Sequence, residues 1–277
     1  TLCAIPRQSK QEEALREALI SWAQLQGLST RVDLAGNLII KKPASADGAH
    51  LPTVVLQAHL DMVCQANAAV DHDFSRDSIK PIVRDGWLIA ENTTLGADNG
   101  IGVALILAAL EEKNLRHGPI EALLTVDEES GMGGARGLES GLLQGRLMLN
   151  LDTEAWGEFY LGCAGGLDVN VERPGLAEIL PQGMEVFSIH LSGLRGGHSG
   201  VNIHEERGNA IKLLVRVLCD LEKTLPFRLA SLSGGTARNA LPREAMAVLA
   251  IHPADSCKLK AALEEWQTRL QASFMGV

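Results

Sequence analysis

Cysteine is scarce: Cys3, Cys64, Cys163, Cys219 and Cys257 are scattered, odd in number and never spaced as CxxC. That scatter excludes a disulfide framework and reads as the reduced thiols of a cytosolic protein. Long apolar runs are missing too. The longest, Val103 to Leu110, falls far short of the roughly 20 residues that span a bilayer. Positive charge is in deficit, with 25 Lys and Arg against 34 Asp and Glu and a net charge of -9. With no Lys/Arg run either, nucleic acid is excluded as the expected partner. No basic opening followed by an apolar stretch suggests a signal peptide, so a soluble, cytoplasmic protein without a membrane partner is expected. There is no initiator Met, and internal repeats and low-complexity tracts are absent. Thr1 to Pro6 reads as the tail of a helix, and a helical run reaches Phe274. Both ends are therefore expected to be cut.

What remains is ordinary globular material, 46% hydrophobic and 21% charged over 277 residues, enough for one large domain or two small ones. Ser9 and Glu12 have the spacing of a capping box. Leu15, Leu19, Trp22 and Leu25 then form a helical stripe that stops at Gly27. Strand-like runs at 30–34 and 38–41 flank Gly36-Asn37, and runs at 79–84 and 87–90 flank Asp85-Gly86, two hairpin signals. Thr53 to His59 has the near-continuous apolar character of a strand buried on both faces. A helix is expected over 99–113, strands over 119–126, 147–151 and 158–162, and a glycine-rich stretch over 131–137. The alternation predicts an α/β fold. Beyond Gly165-Gly166 the pattern changes to strands 167–172 and 185–192, helix 206–223, strands 227–232 and 245–251, and helix 256–273. That order is most of a βαββαβ unit, lacking its last strand. The expected domains are 1–166 and 167–277, each incomplete.

Ligand-type residues recur where the apolar runs end: His59-Leu60-Asp61, Asp98, Asp127-Glu128-Glu129 and Asp152. Strand ends of an α/β sheet converge on one crevice. Mixed imidazole and carboxylate donors suit Zn²⁺ better than Ca²⁺ or Mg²⁺. Each motif has a plainer reading. HxD can be a strand-end His beside a loop Asp, Asp98 can be a helix N-cap, and an acidic triplet can be a solvated loop. The conjunction favours the metal reading. On strand geometry His59 and Asp61 share a face, so the carboxylate can hold the imidazole's second nitrogen. The glycines at 96, 100 and 102 suit a backbone passing close to something, such as a carboxylate bridging two metals. Two Zn²⁺ set against Asp98, Glu129, Asp152 and one hydroxide would be charge-neutral.

These motifs, together with Gly196-Gly197-His198-Ser199-Gly200, resemble the di-zinc cytosolic dipeptidases, in particular the aminoacylhistidine (Xaa-His, nonspecific) branch related to carnosinases. The similarity runs along essentially the whole chain. The resemblance implies a mixed-sheet catalytic domain carrying an inserted α+β lid and dimerisation domain. It implies two Zn²⁺ per subunit, with Mn²⁺ or Co²⁺ as alternatives. His59 and Asp152 would bind one zinc, Glu129 the other, and Asp98 would bridge them. Asp61 would orient His59, and Glu128 would be the general base. The peptide bond after Asp98 would be cis. His198 would stabilise the oxyanion, reaching the partner subunit's site, and Asn239 and Arg238 would contact substrate. Asp152, where deacylase relatives tend to have Glu, tilts the expectation towards peptides with a free amino group. The family's last zinc-binding His has no match here, so this chain by itself is expected to be inactive. The implied activity is hydrolysis of a small dipeptide by a homodimer joined through the lid. The rivals are an N-acyl amino acid deacylase and a non-catalytic, metal-stapled dimerisation module.

Overall fold

The apolar run after Thr53 becomes the middle strand of a five-stranded sheet. In the computed structural model, which describes residues 2–274 except 68, 154, 164 and 168, the chain divides into two compact units, 1–164 and 165–277.

In the first unit, helix α1 (Glu13–Leu25) precedes the hairpin β1 (Ser29–Val32) and β2 (Leu38–Lys42). Asp33 closes that hairpin loop, accepting from the Asn37 backbone N–H at 2.8 Å and from its side-chain amide at 2.7 Å. Strand β3 (Val54–His59) follows, then the small hairpin β4 (Pro81–Arg84) and β5 (Trp87–Ala90). Its turn residues Asp85 and Gly86 both have positive φ, the geometry expected of a two-residue hairpin loop. Helix α2 (Ala97–Glu111), strand β6 (Ile120–Thr125), two short helical turns α3 (Glu128–Gly131) and α4 (Gly133–Gly137), and strand β7 (Leu147–Asn150) complete the unit.

The sheet order is β1-β2-β6-β3-β7. β3 runs parallel to β6, with His59 opposite Thr125, and parallel to β7, with Gln57 opposite Asn150, while β2 is antiparallel to β6. The sheet is therefore mixed. Three parallel strands put their C-terminal ends on one edge, which is where such sheets place their chemistry. Side-chain alternation splits the strands between two faces. Leu38, Ile40, Ala58, Ala122 and Leu124 pack with Leu15, Leu19 and Ala23 of α1 and Val103, Ile106 and Leu110 of α2. Ile39, Val55 and Leu123 meet Leu142 on the other face.

The second unit contains β8 (Glu185–Leu191), β9 (Gly197–His198), α5 (Ala210–Leu221), β10 (Phe227–Gly234), β11 (Ala240–Leu241), β12 (Ala245–Ile251) and α6 (Ser256–Phe274). β10, β12 and β8 form an antiparallel sheet with β12 in the middle. The side chain of Asn209 caps α5 by accepting from the Lys212 N–H. Leu214, Val217, Leu218 and Leu221, at helical spacing on α5, pack on Ala245, Ala247, Leu249 and Ile251 of β12. The α/β class with a second, α+β unit is as expected from the sequence. Among the described residues no helix is long and apolar enough to cross a membrane.

Four local expectations need correction. No strand forms over 158–162, nor among the described residues of 167–172. Their described residues pair with no strand, and strand propensity without cross-strand contacts does not hold a strand. Leu25 is not part of the buried stripe: it is 86% exposed, and Ala23 is buried in its place. Ser9 and Glu12 do not form a capping box either, because α1 has no side-chain cap and both residues are engaged elsewhere.

Candidate metal centre

The centre grows out of the C-terminal edge of the parallel strands. His59 is the last residue of β3, 1% exposed, and Asp61 leaves the same strand end fully buried. Asp61 is heavily bonded. It accepts from Ser9 Oγ at 2.7 Å, from the Glu128 N–H at 3.0 Å and from the Glu129 N–H at 3.1 Å. Its Oδ1 also lies 3.3 Å from His59 Nδ1. Burial alone would raise its pKa, but these hydrogen bonds outweigh it and hold the carboxyl at about 2. Asp61 thus fixes the imidazole and the acidic turn after β6 together.

The other ring nitrogen faces acids. His59 Nε2 lies 3.0 Å from Asp98 Oδ1, 3.8 Å from Asp152 Oδ1 and 4.0 Å from Glu128 Oε2. Among the described residues, two groups of donors have ligand atoms within 4.8 Å of one another: His59, Glu128 and Glu129, and His59, Asp98 and Asp152. The sequence-derived set of His59, Asp98, Glu128, Glu129 and Asp152 is thus gathered in one place, with Asp61 behind it.

Asp98 sits at the start of α2, where Gly96 at φ 74 is the N-cap and the Asp98–Asn99 peptide is cis, as the resemblance implied. The glycines here have a different cause from the expected one. A Cβ at Gly96 would collide with the Arg7 guanidinium, and one at Gly102 with the side chain of Asn99 and the Leu151 carbonyl. They make room for protein groups. After β6, Asp127 takes a left-handed conformation at φ 54. The turn is held by Glu12, whose Oε1 accepts from the Asp127 N–H at 2.8 Å. Asn37 is fully buried and holds both its ends, accepting from the Val126 N–H at 3.2 Å and donating to the Gly134 carbonyl at 2.8 Å. Gly133 and Gly134 pack directly on Asp127 and Asn37.

The electrostatics favour a cation. Burial, then the charge of Asp98, pushes Glu129 up to about 7, and one of its oxygens, Oε1, is buried without a hydrogen bond. Burial raises Glu128 and Asp152 as well, with neighbouring acids adding to the effect and His59 opposing it. Burial would lower the pKa of His59, yet hydrogen bonds to Asp61 and Asp98 and the charge of Asp152 raise it to about 10. Carboxylates crowded at this cost become favourable partners once a divalent ion sits among them. The donor chemistry, one imidazole with several carboxylates, fits such an ion.

His198, Arg238 and Asn239 belong to the second unit. There β9 and β11 pair His198 with Ala240, and the Asn239 carbonyl accepts from the Ser199 N–H at 2.7 Å. His198 is exposed, and its Nδ1 accepts from the N–H groups of Gly200 and Val201, each at 3.1 Å. That leaves Nε2 as the protonated nitrogen, available as a donor. Sequence reasoning missed Arg7, Ser9, Glu12 and Asn37 as supports. The close-packed glycines were the only local trace of them.

Against this geometry, comparison with known proteins is informative. Residues 189–275 match the peptidase dimerisation domain family, M20_dimer. The chain is 47% identical over 270 residues to the cytosol non-specific dipeptidase of Escherichia coli K12, covering 98% of this chain and 56% of that protein. A crystal structure of the aminoacylhistidine dipeptidase from Vibrio alginolyticus aligns with a TM-score of 0.59 and 46% identity, over 98% of this chain and 55% of that one. The chain therefore spans about half the length of these relatives. The expected likeness to the cytosolic dipeptidases is borne out. Residues 189–275 thus match the peptidase dimerisation domain family, in a chain similar along nearly its whole length to part of the cytosol non-specific and aminoacylhistidine dipeptidases.

Proposed function

We propose that this chain carries the metal-binding part of a dipeptidase that hydrolyses small peptides, Xaa-His or of broad specificity, in the cytoplasm. Residues 1–166 are the catalytic domain in this reading, and 167–277 are a lid through which two copies dimerise. The observation that carries the proposal is the gathering of Asp98, Glu128 and Asp152 around His59 Nε2, beside a buried Glu129 oxygen that lacks a partner.

His59 and Asp152 would hold one divalent ion and Glu129 a second, with Asp98 within reach of His59 to serve them; Zn²⁺ would suit these donors, with Mn²⁺ or Co²⁺ as substitutes. Bound, these ions supply a water of lowered pKa and polarise the scissile carbonyl. Asp61 keeps His59 oriented through Nδ1. Glu128 is half-buried and its pKa is raised by burial and neighbouring acids, which suits a base that takes a proton from water and returns it to the leaving amine. His198, with Nε2 available as a donor, serves the oxyanion, and Asn239 and Arg238 serve the substrate's ends.

The test uses Glu128→Ala in a chain of the relatives' full length, since this chain by itself is expected to be inactive. Turnover of Ala-His should fall about 10²- to 10⁴-fold, the usual worth of a general base, while zinc content by elemental analysis stays unchanged. Retained turnover refutes the base. Preference for N-acetyl amino acids over Ala-His refutes the dipeptide substrate.

A further inference from the structure

Arg7 is a buried cation outside the ligand set, 3% exposed. Its Nη1 donates to the Leu60 carbonyl at 2.8 Å and the Asp61 carbonyl at 3.0 Å, and its Nη2 donates to the Gly96 carbonyl. One planar group thus bonds the backbone immediately after His59 and the backbone two residues before Asp98. These stretches are more than thirty residues apart in the chain, with the β4–β5 hairpin between them. A guanidinium has the rigid, branched donor geometry for this, and an ammonium does not. The surroundings are built to admit it. A Cβ at Gly100 would lie 2.9 Å from Arg7 Nη2, and one at Gly96 would strike the same nitrogen. The rest of the segment reinforces the tie, since Gln8 bridges to Met62, Ser9 holds Asp61 and Glu12 holds Asp127.

We infer that Arg7 is a positioning residue that sets the spacing between His59 and Asp98 by tying together the two loops that carry them. The inference rests on reading this cluster as a metal centre. Arg7 acts through the ligands' backbone.

The experiment compares wild type, Arg7→Lys, Gly100→Ala and, as a control, Glu121→Gln. Glu121 is a buried acid whose Oε2 accepts from the N–H groups of Gln144 and Gly145, away from the ligands. Calorimetric titration with Zn²⁺ and amide hydrogen exchange are measured on each. Arg7→Lys should weaken Zn²⁺ binding at least tenfold and speed exchange at 60–65 and 96–100 together. Gly100→Ala keeps the arginine but crowds Nη2, and should weaken binding about threefold. If Arg7→Lys does not fold, this variant carries the test. Glu121→Gln should lower thermal stability without moving Zn²⁺ affinity or exchange in those two stretches. Wild-type affinity and exchange in the folded Arg7 variant would overturn the inference. So would a loss that Glu121→Gln reproduces at equal stability. Should wild type bind no Zn²⁺, the metal reading fails, and exchange alone decides on Arg7. Loosening of both stretches together then supports the tie, and loosening of one or neither overturns it.

Discussion

His59 ends an apolar run and His198 stands in a glycine-rich stretch, and the molecule holds them in opposite ways. His59 is buried at a strand end, oriented by Asp61, which in turn is secured by groups more than fifty residues away in the chain. His198 is exposed, and its side chain is bonded by the backbone two and three residues on. The first arrangement suits a ligand that must meet other ligands at fixed distances. The second suits a group whose target comes to it.

Substitutions should separate the two. The largest effect is expected at Asp61. Asp61→Ala strips the partner from His59, Ser9 and two backbone N–H groups in a fully buried place, so unfolding in urea should show a loss of about 3–5 kcal/mol. A loss under 1 kcal/mol would mean that water replaces the carboxylate and the buried network is not what holds His59.

Glu121 comes next and sharpens the comparison, being buried and bonded in the same unit but away from the proposed ligands. Burial would raise its pKa, but Lys41, at 2.7 Å, and the N–H groups of Gly145 and Gln144 bring it below the ordinary 4.5. A depressed folded-state pKa contributes stability that is complete above the unfolded value and lost as pH falls through the folded one. Glu121→Gln should therefore cost about 1.5–3 kcal/mol near neutrality. The gap from wild type should stay flat down to roughly pH 5 and close below about 4.5. A gap that widens in acid would reverse the sign and refute the assignment. The smallest stability effect is expected at His198. His198→Ala should change unfolding free energy by no more than about 0.5 kcal/mol, while in a chain of the relatives' full length it should reduce turnover about 10²- to 10³-fold if His198 serves the oxyanion. Destabilisation comparable to that of Asp61→Ala would erase the contrast.

Much of the candidate site was legible beforehand because its proposed ligands stand where apolar runs end, and such runs report strands directly. His59 ends β3, Glu128 and Glu129 follow β6, and Asp152 follows β7. The supports were not legible. Ser9 and Glu12 have the spacing of a helix cap, and nothing nearby signals that one serves Asp61 and the other Asp127. The glycines at 96 and 100 announced a close approach but not its partner, which is Arg7. Residues 158–162 failed for the opposite reason, since they have strand-like composition but no neighbouring strand to pair with.

By itself the sequence determined the principal strands and helices that carry the candidate site, the placement of imidazole and carboxylates at strand ends, and the likeness to cytosolic dipeptidases. These follow from local periodicity and from short motifs. Tertiary structure alone decided that β3, β6 and β7 run parallel, so that their ends meet, and that Arg7, Ser9, Glu12 and Asn37 fasten the loops there. A side chain bonded to a distant backbone leaves no periodic mark in its own neighbourhood, because its partner is chosen by the packing of the whole sheet.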